Sequence, residues 1–205
     1  MIEGLKPGYN AFLLPAARTM VRIGVHPNAL TIFGVVIYAV AGVYAAVGRW
    51  WPSVIAAILG GFLDGLDGLV AREGGLRSRF GAVLDSSCDR LTEIVWFGGL
   101  LVYFLRDPHV RFWGALLVFF ALAGGIMVSY VKARAEGVGL ECKRGLLQRP
   151  ERLLLFGACL IAGPWMVWGL ALLTLLSYIT VVQRLLATLA SSSRHLEQDT
   201  SKDGC

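Results

Sequence analysis

The chain has 205 residues, 56% of them hydrophobic before its 25 glycines are counted, only 16% charged, and a formal net charge of +5. Soluble domains carry about 25% charged residues, so this composition, with a mean hydropathy of +0.65, excludes an ordinary soluble globular domain. The cysteines Cys88, Cys142, Cys159 and Cys205 show no CxxC pairing and predict neither a disulfide framework nor a zinc site.

In chain order, Leu5, Tyr9, Phe12, Leu13, Ala16, Met20 and Ile23 recur at helical intervals opposite Arg18 and Arg22. This predicts an amphipathic helix in the membrane interface over about 5–25, with Pro15 as a kink. The same stretch is too broken by Lys6, Pro7, Asn10 and Pro15 to be a cleaved signal. Apolar runs follow at about 29–48, 53–71, 81–104, 112–131, 152–163 and 166–187, predicting six transmembrane helices. The fifth is short and Gly163-Pro164 ends it against the sixth. The fold class is therefore an all-α polytopic integral membrane protein. Residues 1–190 form one membrane domain, and 191–205, without an apolar period, are expected to be a disordered tail.

With the N-terminus cytoplasmic, every Lys and Arg of the 19 except Arg49, Arg106 and Arg111 falls on or near that side. The positive-inside rule then places both termini in the cytoplasm of a multi-pass protein of the cell (inner or plasma) membrane. Topology accounts for the basic charge, and no nucleic acid is implied. Trp50, Trp51, Trp113, Trp165 and Trp168 gather at the opposite span ends as an aromatic belt.

Four carboxylates sit at membrane depth, where each costs on the order of 3 kcal/mol unless it faces a polar cavity with a partner. Asp64 and Asp67 are i,i+3 at the end of the second span, and Asp85 and Asp89 are i,i+4 at the start of the third. Each pair shares a helix face, and two antiparallel neighbours joined by a short loop can bring both pairs together near the cytoplasmic surface. Four converging acids repel one another unless a cation lies between them. All-oxygen donors select Mg²⁺ or Mn²⁺ over zinc, and four carboxylates can hold two such ions. Gly68, Ala71 and Gly81 leave a groove beside them, and Arg72 at its end can fork onto a diphosphate. The plainer alternative is salt bridging of the acids to Arg72, Arg77, Arg79 and Arg90.

From Asp64 to Asp89 the string reads D-x2-D-G-x2-A-R-x8-G-x3-D-x3-D, and it resembles the signature of the CDP-alcohol phosphotransferases without a departure. The six spans and the leading interfacial helix agree with that family. The resemblance implies transfer of a substituted phosphate from a CDP-linked donor to an alcohol, with release of CMP, at two metal ions, Mg²⁺ with Mn²⁺ as the other candidate. It implies Asp64, Asp67, Asp85 and Asp89 as metal ligands, with Asp89 also the base that takes the acceptor's proton. It implies Gly68, Ala71 and Gly81 lining the cytidine groove and Arg72 on the diphosphate. Pro27-Asn28-Ala29-Leu30-Thr31 resembles the family's P-N-x-L-T entry to the first span, so Asn28 and Thr31 would contact the nucleotide, although both are also ordinary capping residues. Glu93, one turn beyond Asp89, lies outside the motif and reads as an interhelical polar contact.

The acceptor is addressed by Ser129-Tyr130-Val131-Lys132-Ala133-Arg134-Ala135-Glu136 and by Arg149-Pro150-Glu151-Arg152-Leu153. Ser129, Lys132 and Arg152 offer a hydroxyl, a point charge and a planar fork, which suits an acceptor that is itself a phosphate monoester. Lys143 and Arg144 read as positive-inside anchors. Both segments resemble the actinobacterial phosphatidylinositol-phosphate synthases, a branch whose donor is CDP-diacylglycerol and whose acceptor is inositol 1-phosphate. By that resemblance Ser129, Lys132 and Arg152 bind the acceptor phosphate and the protein is a homodimer. The rival within the family is a phosphatidylglycerophosphate synthase using glycerol 3-phosphate. A divalent-cation transporter or a membrane scaffold are the readings from other classes, and Gly61-xxx-Gly65 would mark helix packing or a dimer interface.

Overall fold

The structure, a computed structural model, describes residues 6–106, 111–140, 142 and 145–202, the side chains of 6, 111 and 193–202 excepted. Leu5, Lys143, Arg144 and Cys205 lie outside the described residues. All regular structure in the described residues is helical: α1 (Lys6–Arg22), α2 (Pro27–Ala46), α3 (Trp50–Glu73), α4 (Arg79–Arg106), α5 (Arg111–Gly137), α6 (Arg149–Ile161) and α7 (Met166–Lys202), with one 3-10 turn at Gly163–Trp165. The chain divides into two compact units, Met1–Val118 and Phe119–Cys205.

In the first unit, short joints force α2, α3 and α4 to run beside one another. Pro27 opens α2, and the His26 ring nitrogen Nδ1 accepts the Asn28 N–H at 3.2 Å, so histidine rather than Asn28 or Thr31 caps this helix. Gly48, at φ +72°, turns the chain into α3, a left-handed conformation that favours glycine. Gly75, at φ +65°, does the same after α3. Ser78 Oγ then accepts the Gly81 N–H at 2.9 Å and starts α4.

Small residues set how closely these helices pack. A Cβ on Gly42 would stand 2.6 Å from the Val95 carbonyl, and one on Gly99 would strike the Gly42 backbone, so α2 and α4 cross main chain to main chain. Tyr38 lies over Gly60 and meets Trp96 edge-on, with ring centroids 5.8 Å apart. The Trp96 indole donates to Ser53 Oγ at 2.9 Å and Ser53 donates to the Ala41 carbonyl at 2.8 Å, tying the three helices together inside their apolar interior. Leu13 and Ala17 of α1 are buried with Leu66, Leu69 and Val70 of α3, whereas Phe12 and Ile23 are 73% and 67% exposed.

In the second unit α6 and α7 form a hairpin through Gly163 (φ +59°), with Cys159 packed on Gly169. Val128 and Val131 of α5 bury against Val181 of α7. Between α5 and α6, the Leu146 N–H donates to Gln183 Oε1 (3.0 Å) and the Leu147 N–H to Thr180 Oγ1 (3.2 Å), fastening the connection to α7.

Among the described residues, four helical stretches are long and apolar enough to cross a membrane: Pro27–Ala46, Trp50–Glu73, Phe112–Gly137 and Gly163–Ser192. The remaining two predicted spans correspond to α4 and α6. At 28 residues α4 has the length, but Asp85, Asp89, Arg90 and Glu93 dilute its hydropathy. At 13 residues α6 rises only about 20 Å, short of a ~30 Å hydrocarbon core. The seventh helix runs on to Lys202, past the boundary placed at residue 190. Residues 191–202 contain no proline or glycine to stop it.

Candidate active site

Two helices supply the acids. Asp64 and Asp67 stand on the last turns of α3, Asp85 and Asp89 on the first turns of α4, and the tight α3–α4 loop brings the two ends together. One carboxylate oxygen from each of Asp64, Asp85 and Asp89 lies within 4.8 Å of the others. Asp67 is outside this trio and only 5% exposed; the Thr31 hydroxyl of α2 donates to its Oδ2. The neighbouring helix thus orients the carboxylate that the cluster leaves to one side. Three carboxylate oxygens at that separation, with no sulfur or nitrogen donor in the group, fit a hard divalent ion such as Mg²⁺ or Mn²⁺.

Beside the acids is a cavity of 510 Å³. All six residues expected at the nucleotide line it: Asn28, Thr31, Gly68, Ala71, Arg72 and Gly81, together with Asp67 and Asp85. The missing side chains create this space. A Cβ on Gly81 would stand 3.0 Å from Ser78 Oγ and 3.4 Å from the Asn28 amide oxygen, so α4 enters close to α2. The Arg72 guanidinium folds back over Gly68, whose Cβ would lie 3.5 Å from Nη1. Arg77, Ser78 and Arg79, absent from the motif, complete one wall. The helix-starting serine and its flanking arginines were the available signal for them. Of the arginines weighed as salt-bridge partners, Arg90 does reach Asp89 (Nη1 to Oδ2, 3.5 Å), whereas Arg72, Arg77 and Arg79 line the cavity.

The acceptor residues belong to the second unit. Arg152, 3% exposed, donates from Nη2 to Ser129 Oγ at 3.3 Å, so these two come together. Lys132, one turn beyond Ser129, pairs instead with Glu136 at 3.7 Å. A buried guanidinium counted from sequence only among the basic residues of the cytoplasmic side joins them: Arg184 of α7 donates to the Val128 carbonyl and lies within electrostatic reach of Arg152 and Glu136. Its position in an apolar run was the signal, because an arginine inside a span is a functional candidate by default. Glu93 is buried on α4, as an interhelical contact requires. The Gly61 and Gly65 pair is occupied within the chain: a Cβ on Gly65 would stand 2.6 Å from the Tyr9 hydroxyl of α1.

The profile of the CDP-alcohol phosphatidyltransferase family matches residues 24–190, which include the acid clusters, the cavity and the second unit's arginines. The chain belongs to this family. It is accordingly an enzyme, a CDP-alcohol phosphotransferase, and the transporter and scaffold readings fall away. Among its family relatives it is 39% identical over 184 residues to the phosphatidylinositol phosphate synthase of Mycobacterium marinum, covering 83% of this chain and 76% of that one. It is 34% identical over 191 residues to the archaetidylinositol phosphate synthase of Methanothermobacter thermautotrophicus, covering 91% and 93%. Two family structures are similar to it, both of the phosphatidylinositol phosphate synthase of Mycobacterium tuberculosis. The one with CDP-DAG bound has a TM-score of 0.80 at 32% identity over 87% of this chain and 94% of that one. The other, in complex with manganese and citrate, has a TM-score of 0.80 at 32% identity over 87% and 90%. A membrane enzyme of phospholipid biosynthesis that uses a divalent metal is the class these relatives share with the acid cluster found here.

Proposed function

We propose that the protein transfers the phosphatidyl group of CDP-diacylglycerol to inositol 1-phosphate, giving phosphatidylinositol phosphate and CMP. The observation that carries this reading is the pairing of a cytidine-sized cavity beside converging carboxylates with a separate buried Ser129–Arg152 pair suited to a phosphate monoester. The inositol phosphate products named for both relatives support the acceptor.

In this reaction Asn28, Thr31, Gly68, Ala71 and Gly81 hold the cytidine, and Arg72 meets the diphosphate. Asp64, Asp67, Asp85 and Asp89 hold two Mg²⁺ ions. Bound there, the ions neutralise phosphate charge and acidify the acceptor hydroxyl. Asp89 takes the proton as the acceptor oxygen bonds to the phosphatidyl phosphorus, and the bond from that phosphorus to the CMP oxygen breaks. Ser129, Lys132 and Arg152 fix the acceptor's phosphate, and Arg184 adds a second buried fork. Two guanidiniums within reach of each other favour an anion between them. Lys132 leaves Glu136 for the acceptor, a small cost for an exposed pair.

The membrane arrangement extends this reading. α4 and α6 complete six spans, and α1 lies in the interface with Phe12 and Ile23 toward lipid. Both termini and the acids face the cytoplasm of the cell membrane, the lipid chains of the donor stay in the bilayer, and two copies associate as a homodimer.

The test is CMP release by the purified protein given CDP-diacylglycerol and Mg²⁺, with inositol 1-phosphate, glycerol 3-phosphate or free inositol in separate tubes. Turnover with inositol 1-phosphate alone is the expected result. Turnover with glycerol 3-phosphate alone would keep the donor chemistry and replace the acceptor by that of a phosphatidylglycerophosphate synthase.

A further inference from the structure

We propose that Tyr9 of α1 is a positioning residue for the metal site: its hydroxyl, seated in the notch between Gly61 and Gly65, fixes the turn of α3 that carries Asp64. The inference rests on the reading of Asp64 as a metal ligand. Gly61 and Gly65 bracket Asp64 on α3: the Gly61 carbonyl and the bare face of Gly65 meet the phenol, whereas the missing side chain of Gly61 faces the Tyr38 hydroxyl of α2 at 3.6 Å. The Tyr9 hydroxyl donates to the Gly61 carbonyl at 3.3 Å, and a Cβ on Gly65 would stand 2.6 Å from the hydroxyl oxygen and 2.8 Å from Cε1. The ring also stacks on Phe62, with centroids 6.0 Å apart and planes 24° from parallel. The next two turns of α1 continue the contact, Leu13 and Ala17 burying against Leu66, Leu69 and Val70, and Arg18 pairing with Glu73 at 3.2 Å.

Gly61 lies well inside α3, which ends at Glu73, so the phenol adds a tertiary hydrogen bond to the helix at the turn preceding Asp64. Both α2 and α1 pack along α3, and α1 does so through Leu13 and Ala17 on Leu66, Leu69 and Val70. The phenol places a hydrogen bond on the helix turn that precedes Asp64, which a packing role alone does not need. Dependence of metal affinity on a residue that does not touch the metal is the expected signature of such support.

The experiment measures Mn²⁺ binding to the full-length protein by electron paramagnetic resonance, alongside the acceptor KM and thermal stability, for Tyr9→Phe, Tyr9→Ala, Gly65→Ala, the Tyr9→Ala/Gly65→Ala double variant and Asp64→Asn. Tyr9→Phe keeps the ring, so it folds, and it should weaken Mn²⁺ binding about fivefold, the effect of one ordinary hydrogen bond, with the acceptor KM unchanged. Gly65→Ala should weaken it more, and removing the ring in the double variant should return affinity to the Tyr9→Ala level. If Asp64→Asn loses Mn²⁺ while Tyr9→Phe and Gly65→Ala bind it normally, the positioning role is wrong and the metal reading stands. If Asp64→Asn binds Mn²⁺ normally, the metal reading and the inference built on it both fall.

Discussion

At the scale of single residues, the proposed reaction assigns binding to several groups and proton transfer to Asp89. Asp89→Asn keeps the shape of the side chain and removes its basicity, so turnover should fall roughly 100-fold or more while CDP-diacylglycerol binding, read by equilibrium titration, stays near normal. Near-normal turnover would remove Asp89 from the role of base. Arg152→Ala removes a charged, nearly buried donor and should raise the acceptor KM roughly tenfold or more, leaving the donor KM little changed; equal effects on both would point to folding instead. The acids were legible because carboxylates at i,i+3 and i,i+4 in an apolar run have few meanings. The Thr31–Asp67 contact was not foreseen, because nothing local tells which helix supplies the hydroxyl. The burial of Arg184 was not legible, because charge asymmetry alone explains any arginine near a span end.

At the scale of elements, each predicted apolar run has its helix, and the differences lie at ends. The hydrophobic pattern reports where lipid or core begins, whereas helices stop where caps and glycines stop them: His26 and Ser78 start α2 and α4, and Gly75 follows α3. The pattern could not reveal that α7 continues to Lys202, since a polar sequence without breakers is silent about helicity. Nor could spacing alone tell that Gly61 and Gly65 receive α1. The start of α6 provides a test of how an element sets a residue. Glu151 accepts the Gln148 N–H at 2.9 Å, and the preceding connection is fastened to Thr180 and Gln183 of α7. Glu151→Ala should cost about 1 kcal/mol in thermal stability and raise the acceptor KM several-fold through Arg152, without changing the donor KM. An unchanged acceptor KM would mean that the N-terminal turn of α6 does not set Arg152.

At the scale of the whole molecule, orientation follows from charge and is open to direct measurement. In a Cys205→Ser background, Cys88, Cys142 and Cys159 are buried, which leaves introduced cysteines as the reporters. A membrane-impermeant maleimide should label Arg49→Cys in intact cells and Arg77→Cys only after the membrane is opened. The opposite pattern would invert the topology, and labelling of both in intact cells would refute the six-span arrangement.

The boundary between the compact units falls within α5, between Val118 and Phe119. Every residue lining the 510 Å³ cavity, all four aspartates and the Tyr9 contact precede it, and Ser129, Lys132, Arg152 and Arg184 follow it. If the proposed roles hold, one half of the chain can stay constant for the nucleotide while the other is reworked for a different alcohol. Chimeras joined at that bond are the natural way to read the specificity code of the family.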